Sequence, residues 1–229
     1  MSNIKSLDDI KHAFYINLEH RNDRKEHVEA QLNKIGIKAE RFNAIKMTNG
    51  AIGCSMSHLK ILQNAFNNNL EHVLIVEDDI TFLDPELFKT NINNFFIEHG
   101  NNWDVILLAG NNIPPYKKID DTCIQVFTCQ TTTGYIVNGH YIKILMQNIK
   151  TGLTQLLNNP NEKLRYAIDR FWFILQSKDK WYLIIPPTVV QCEGYSDIEK
   201  KNTNYEKMMC DLDKEELLNY IRKRQLTPL

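Results

Sequence analysis

The chain has no apolar run near the roughly 20 residues that a bilayer-spanning helix needs. Its first nine residues, MSNIKSLDD, contain no apolar core of a signal peptide. A cytoplasmic setting with no transmembrane segment is therefore expected. Charge of one sign is also missing. The 27 Lys and Arg against 28 Asp and Glu leave a net charge of −1, which excludes bulk attraction to nucleic acid or to an anionic membrane. The five cysteines (Cys54, Cys123, Cys129, Cys192 and Cys210) are odd in number and scattered. They form no CxxC pair and no disulfide frame, as suits a reducing compartment. Internal repeats and strong linkers are absent too. The 229 residues suffice for one α/β domain with a full core, expected over residues 1–200, with a helical extension over 201–229 packed on it.

What is present is an alternation of strand and helix patterns. Residues 12–18, 39–45, 73–80 and 103–108 read as strands, with helices expected over 23–35, 55–66 and 85–98 between them. That order argues for a mostly parallel sheet with helices on both faces. Further on, residues 122–128 and 130–137 read as two adjacent, antiparallel strands. Helices follow over 141–149 and 162–176, then a strand over 181–185, an irregular polar loop over 191–204 and a terminal helix over 213–224.

The stretch VLIVEDDI at 73–80 is the focus. Its apolar run suits a buried parallel strand, and its acids then fall at the carboxyl end, where open α/β sheets place ligands. Alternation along a strand puts Glu77 and Asp79 on one side and Asp78 on the other. Two carboxylates on one side suit a divalent cation, and the cation a diphosphate. An acidic turn that merely solvates the strand end is the alternative.

Four other segments carry chemistry-bearing residues. YINLEHRNDR at 15–24 puts Asn17, Arg21 and Arg24 after the first strand, with the two arginines three apart on one helix face. Guanidiniums beside a helix start suit a diphosphate; a solvated start with local charge pairs is the other reading. GAIGCSMSH at 50–58 sets two glycines before a helix, so that a ligand can approach the backbone at Gly53, and adds Ser57 and His58 as hydrogen-bonding groups. Asp169 lies among aromatic residues, either as a base tuned upward by burial or as half of a salt bridge. Gln191, Ser196 and Asp197 belong to a polar loop of the kind that covers sites or lies idle on the surface.

In order and spacing, YINLEHRNDR, RFNAI, GAIGCSMSHLKIL, VLIVEDDITF, TTGYIV, the Asp169 region and Gln191 with SDI at 196–198 resemble glycosyltransferase family 25. That family includes bacterial lipooligosaccharide galactosyltransferases and procollagen galactosyltransferases. The resemblance departs at Ala51, where the family usually has a glutamate. It implies a GT-A type, Rossmann-like α/β fold. It also implies metal-dependent, inverting transfer of galactose or glucose from a UDP-sugar to a glycan or hydroxylysine-type acceptor. Under it, Glu77 and Asp79 hold Mn²⁺ or Mg²⁺, Asp78 turns to the ribose or the sugar, and Asp169 is the base. Asn17, Arg21, Arg24, Gly53, Ser57 and His58 serve the donor, and Gln191, Ser196 and Asp197 close over donor or acceptor.

Two other readings stay open. A haloacid-dehalogenase-like phosphohydrolase also carries D-x-D-x-T at a strand end, and EDDIT at 77–81 differs by one methylene in its first acid. Its chemistry needs that acid as nucleophile, and Glu77 sets its carboxylate too far along. A non-catalytic sugar-nucleotide-binding protein on the same fold is the second.

Overall fold

A computed structural model describes residues 4–196 and 201–215. The first half alternates as expected: β1 (Ala13–Asn17), α1 (Asn22–Lys34), β2 (Glu40–Asn43), α2 (Gly50–Asn67), β3 (His72–Glu77), β4 (Ile80–Phe82), α3 (Pro85–His99) and β5 (Val105–Leu107). There follow β6 (Asn111–Asn112), β7 (Tyr116–Lys118), β8 (Cys123–Val126), β9 (Cys129–Gln130), β10 (Gly134–Asn138) and α4 (Ile142–Asn158). Three one-turn helices come next, α5 (Lys163–Tyr166), α6 (Ile168–Phe171) and α7 (Phe173–Gln176). The remainder is β11 (Trp181–Ile184), β12 (Val189–Gln191), β13 (Gly194–Ser196), β14 (Lys201–Thr203) and α8 (Glu206–Cys210).

The main sheet has eight strands in the order β2-β1-β3-β10-β5-β11-β8-β7. Only β8 and β10 run against the other six, so the sheet is mixed but mostly parallel in direction. Both faces are covered. Leu74 and Val76 of β3 join Val28 and Leu32 of α1 and Phe88, Ile92, Phe95 and Phe96 of α3 in one core. Val73 and Ile75 join Leu59 and Leu62 of α2 and Leu145, Ile149 and Leu156 of α4 in the other. A strand buried on both faces has no polar side, which is why residues 73–76 are continuously apolar. The Rossmann-like α/β fold expected from the sequence is the fold observed.

Several elements differ from the sequence reading. The helix expected from residue 55 starts at Gly50, where the Asn49 side chain accepts from Ala51 N at 3.1 Å. The two strands expected over 122–137 are not partners. β10 inserts antiparallel between β3 and β5, while β8 lies beyond β11. The single helix expected over 162–176 is broken by Ala167, whose ψ of 149° is extended. The loop over 191–204 contains the hairpin of β13 and β14, so the boundary expected at residue 200 falls between two paired strands. Of the helix expected over 213–224, all but residues 213–215 lies outside the described residues. Among the described residues, no helix is long and apolar enough to cross a membrane.

Candidate functional site

β3 delivers Glu77 at its last position, and the chain turns at Asp78 and Asp79 before β4. The turn breaks strand alternation, so the expected facing of the acids changes. Asp78 and Asp79 share one arginine: Arg24 Nη1 lies 3.0 Å from Asp78 Oδ1 and 3.4 Å from Asp79 Oδ2. Glu77 stands apart. Its Oε1 accepts from Thr132 Oγ1 at 2.7 Å, His58 Nε2 at 3.3 Å and Cys54 Sγ at 3.5 Å, and none of these bonds uses Oε2.

The electrostatics follow from this division. Burial opposes ionisation of Glu77, but the His58 and Thr132 bonds outweigh it and hold the carboxyl below its usual range. Burial, then the charge of Glu77, pushes Asp79 up to about 7. Burial also raises Asp78, against the bonds from Asn17 and Arg24. Asp79 Oδ1 is buried with no hydrogen-bond partner among the described residues. A buried carboxylate oxygen without a donor costs free energy that a cation would remove.

Asn17, at the end of β1, donates Nδ2 to Asp78 Oδ2 at 2.8 Å and accepts at Oδ1 from Arg41 Nε at 3.0 Å. Arg24 spans further and donates Nη2 to the Tyr195 carbonyl at 2.9 Å, tying the acids to the loop after β12. Arg21 instead makes a local pair with Asp23 at 2.8 Å. The two arginines do not act alike, although they sit three residues apart.

α2 plays a different part from the ligand-approach loop expected. Gly53 lies in its first turn, where a Cβ would meet the Ile45 carbonyl oxygen at 2.4 Å. The glycine is required by the chain's own backbone. Ser57 is buried, donates to the Gly53 carbonyl at 2.8 Å and accepts from Ile45 N at 2.9 Å. His58 has no exposed surface and stands between Tyr135 Oη at 2.8 Å and Glu77. An ionised Glu77 only accepts, so His58 Nε2–H donates to it. Ser57 and His58 thus stand behind the site and fix its wall. The Cys54 thiol is pushed well up by burial and by the charges of Glu77 and Asp169, which leaves it an inert donor.

A cavity of ≈ 330 Å³ opens in front of Glu77. Ala51, Cys54, Thr131, Thr132, Asp169 and Gln191 line it, and Asn111, Lys163, Arg170, Tyr205 and Met208 contribute to it as well. Asp169, from α6, accepts from Thr131 N at 3.3 Å, and burial raises its carboxyl. Thr131 has φ 78°, a left-handed conformation that a β-branched residue adopts at a cost of about 1–3 kcal/mol and that clusters at functional sites. Gln191 pairs opposite Ile80, the residue after Asp79. Asn111 Oδ1 is buried without a partner among the described residues. The Ser196 side chain and all of Asp197 lie outside the described residues. Arg41, Asn111 and Thr132 were not singled out in the sequence. Arg41 and Thr132 sit inside quoted motifs, but their partners lie 24 and 55 residues away, and no local pattern reveals that.

A model of glycosyltransferase family 25 (LPS biosynthesis protein) matches residues 46–172, more than half of the chain. The chain belongs to glycosyltransferase family 25. The matched segment holds Glu77, Asp78, Asp79 and Asp169. A Drosophila pseudoobscura pseudoobscura glycosyltransferase 25 family member is 33% identical over 196 residues, covering 71% of this chain and 29% of that protein. Procollagen galactosyltransferase 1 of Danio rerio is 24% identical over 122 residues, covering 48% and 20%. The chain spans less than a third of the length of these curated relatives. Among solved structures, a glycosyltransferase involved in glycosylation of the PBCV-1 major capsid aligns over 82% of this chain and 96% of that one, at TM-score 0.47 and 14% identity. The family assignment rests on the family model and the sequence relatives.

Proposed function

We propose that this family member is a metal-dependent, inverting hexosyltransferase. It moves galactose or glucose from a UDP-sugar to a hydroxyl of a glycan or hydroxylysine-type acceptor. One observation carries the reading: Glu77, Asp169 and Gln191, from three remote segments, line one cavity, and Gln191 pairs opposite Ile80, next to an Asp79 whose Oδ1 has no partner among the described residues.

A divalent cation fits these residues. Asp78 and Asp79 share a single guanidinium, one buried oxygen of Asp79 has no partner among the described residues, and the carboxylates offer hard oxygens that favour Mn²⁺ or Mg²⁺ over zinc. Asp79 and Glu77 would hold it. When bound, the cation neutralises the charge of the departing diphosphate. The rest falls to the chain. Arg24 supplies guanidinium donors beside the acids, and Asn17 and Arg41 hold Asp78 in place. Thr132, His58 and Tyr135 fix the carboxylate of Glu77. Asp169, raised by burial, accepts the proton of the attacking acceptor hydroxyl; one such base is worth roughly 10²–10⁴ in rate. Asn111 offers its free carbonyl oxygen to a sugar hydroxyl. Glu77 Oε1, held by three donors, suits a ligand better than a nucleophile.

The test is to incubate the chain and Mn²⁺ with UDP-sugars and a panel of glycan and hydroxylysine-peptide acceptors. A gain of one hexose by an acceptor, seen by mass spectrometry, supports the proposal. No transfer from any UDP-sugar to any acceptor counts against it.

A further inference from the structure

On the sheet face covered by α3, away from Glu77, three side chains of different chemistry converge. His99 is the last residue of α3, Asp120 lies in the turn between β7 and β8, and Cys123 opens β8. His99 Nε2 stands 2.7 Å from Asp120 Oδ2, and Cys123 Sγ lies 3.7 Å from that nitrogen and 3.8 Å from that oxygen. We propose that His99 Nε2, Asp120 Oδ2 and Cys123 Sγ form a three-ligand site for a borderline-soft divalent cation, Zn²⁺, with water in the fourth position.

Geometry supports this first. A tetrahedral Zn²⁺ with Zn–S near 2.3 Å and Zn–N and Zn–O near 2.0 Å sets ligand–ligand edges of roughly 3.3–3.6 Å. The two sulfur edges of 3.7 and 3.8 Å already lie within a few tenths of an ångström of that range. The nitrogen–oxygen edge of 2.7 Å opens by roughly 0.6 Å as coordination replaces the hydrogen bond.

Each ligand is also held from behind. Asp120 Oδ1 accepts from Thr122 N at 2.7 Å, Thr122 Oγ1 at 2.6 Å and Cys123 N at 3.1 Å, so Oδ2 is the oxygen turned to the other two ligands. The His99 ring packs against Phe95 at 4.6 Å and stacks on Tyr182 at 5.9 Å between centroids. Cys123 is fixed by the β8–β11 ladder. Such outer support is what metal ligands need to hold their orientation. Solvent reaches the group through His99 and Asp120, whose side chains are 16% and 24% exposed, which gives an entry path and room for the water ligand. Binding would release the thiol proton to solvent, and the imidazole would coordinate through Nε2 with its N–H on Nδ1. It would also tie the end of α3 to β8. Sulfur and imidazole select zinc here, whereas the oxygen donors around Asp79 select a harder ion.

The experiment is a Co²⁺ titration of the reduced chain followed by ultraviolet–visible absorption, with Zn²⁺ added afterwards. The proposal expects a tetrahedral cobalt spectrum with a thiolate charge-transfer band at one equivalent, displaced by Zn²⁺. The band should survive in Cys54→Ser and vanish in Cys123→Ser. His99→Gln should weaken Zn²⁺ binding by roughly 100-fold or more. No thiolate band in the unsubstituted chain at saturating Co²⁺ overturns the proposal. So does a band lost in Cys54→Ser but kept in Cys123→Ser.

Discussion

Arg24 Nη1 stands 3.4 Å from Asp79 Oδ2, a carboxylate that burial and Glu77 push up to about 7. The same guanidinium binds Asp78 and the Tyr195 carbonyl. Arg24→Gln therefore leaves two buried acids without their balancing charge. Hydrogen bonds to charged groups are worth about 1.5–3 kcal/mol, and a loss of that order is expected in urea unfolding without metal. Saturating Mn²⁺ should shrink the loss, because the ion supplies the missing charge. An equal loss with and without Mn²⁺ would separate Arg24 from the cation site.

Asp169 lines the same cavity as Glu77 and accepts a 3.3 Å bond from Thr131 N. Asp169→Asn keeps shape and removes the base. UDP binding by calorimetry should change little, while transfer should fall about 10²–10⁴-fold. Loss of UDP binding with transfer intact would remove Asp169 from the base role.

Stability should carry the signature of Asp79. Its folded pKa, about 7, lies above the ordinary 3.8. Its contribution to stability is thus fully present below the unfolded pKa and is lost as pH rises through about 7. In metal-free buffer, Asp79→Asn should be more stable than the unsubstituted chain at pH above that value, with the gap closing toward acid pH. Denaturant midpoints across the range measure it, and a gap that does not vary with pH contradicts the assignment.

Gly53 is a packing residue. With Ile45 O 2.4 Å from the position of a Cβ, Gly53→Ala should force the 45–47 backbone outward and cost about 1–3 kcal/mol. Unfolding midpoints report the cost. A substitution that leaves stability unchanged and weakens only donor binding would return Gly53 to the ligand side.

The alternation of the first half was legible because buried parallel strands and amphipathic helices leave different periods, as residues 73–76 and α3 show. The insertion of β10 between β3 and β5 was not, since pairing between remote strands writes no local signal. α6 was hidden inside an apparently continuous helical pattern, because the break at Ala167 is an extended backbone at a residue that favours helix. The acids at 77–79 were visible as residue types. Their roles diverge through Arg24, Thr132 and His58, whose positions are set by tertiary structure. Ser57 and His58 were readable as polar groups near a glycine, and burial turned them inward.

Under the proposed function, the acids after β3 control sugar release from a nucleotide. The most direct measurement is UDP release from UDP-galactose and UDP-glucose, with acceptor present, in Mn²⁺ and in EDTA, for the unsubstituted chain and Asp79→Ala. UDP release is expected in Mn²⁺, with its loss in EDTA and at least a 100-fold loss in Asp79→Ala, in line with removal of metal-borne charge stabilisation. Turnover by Asp79→Ala near that of the unsubstituted chain, or equal rates in Mn²⁺ and EDTA, would contradict it.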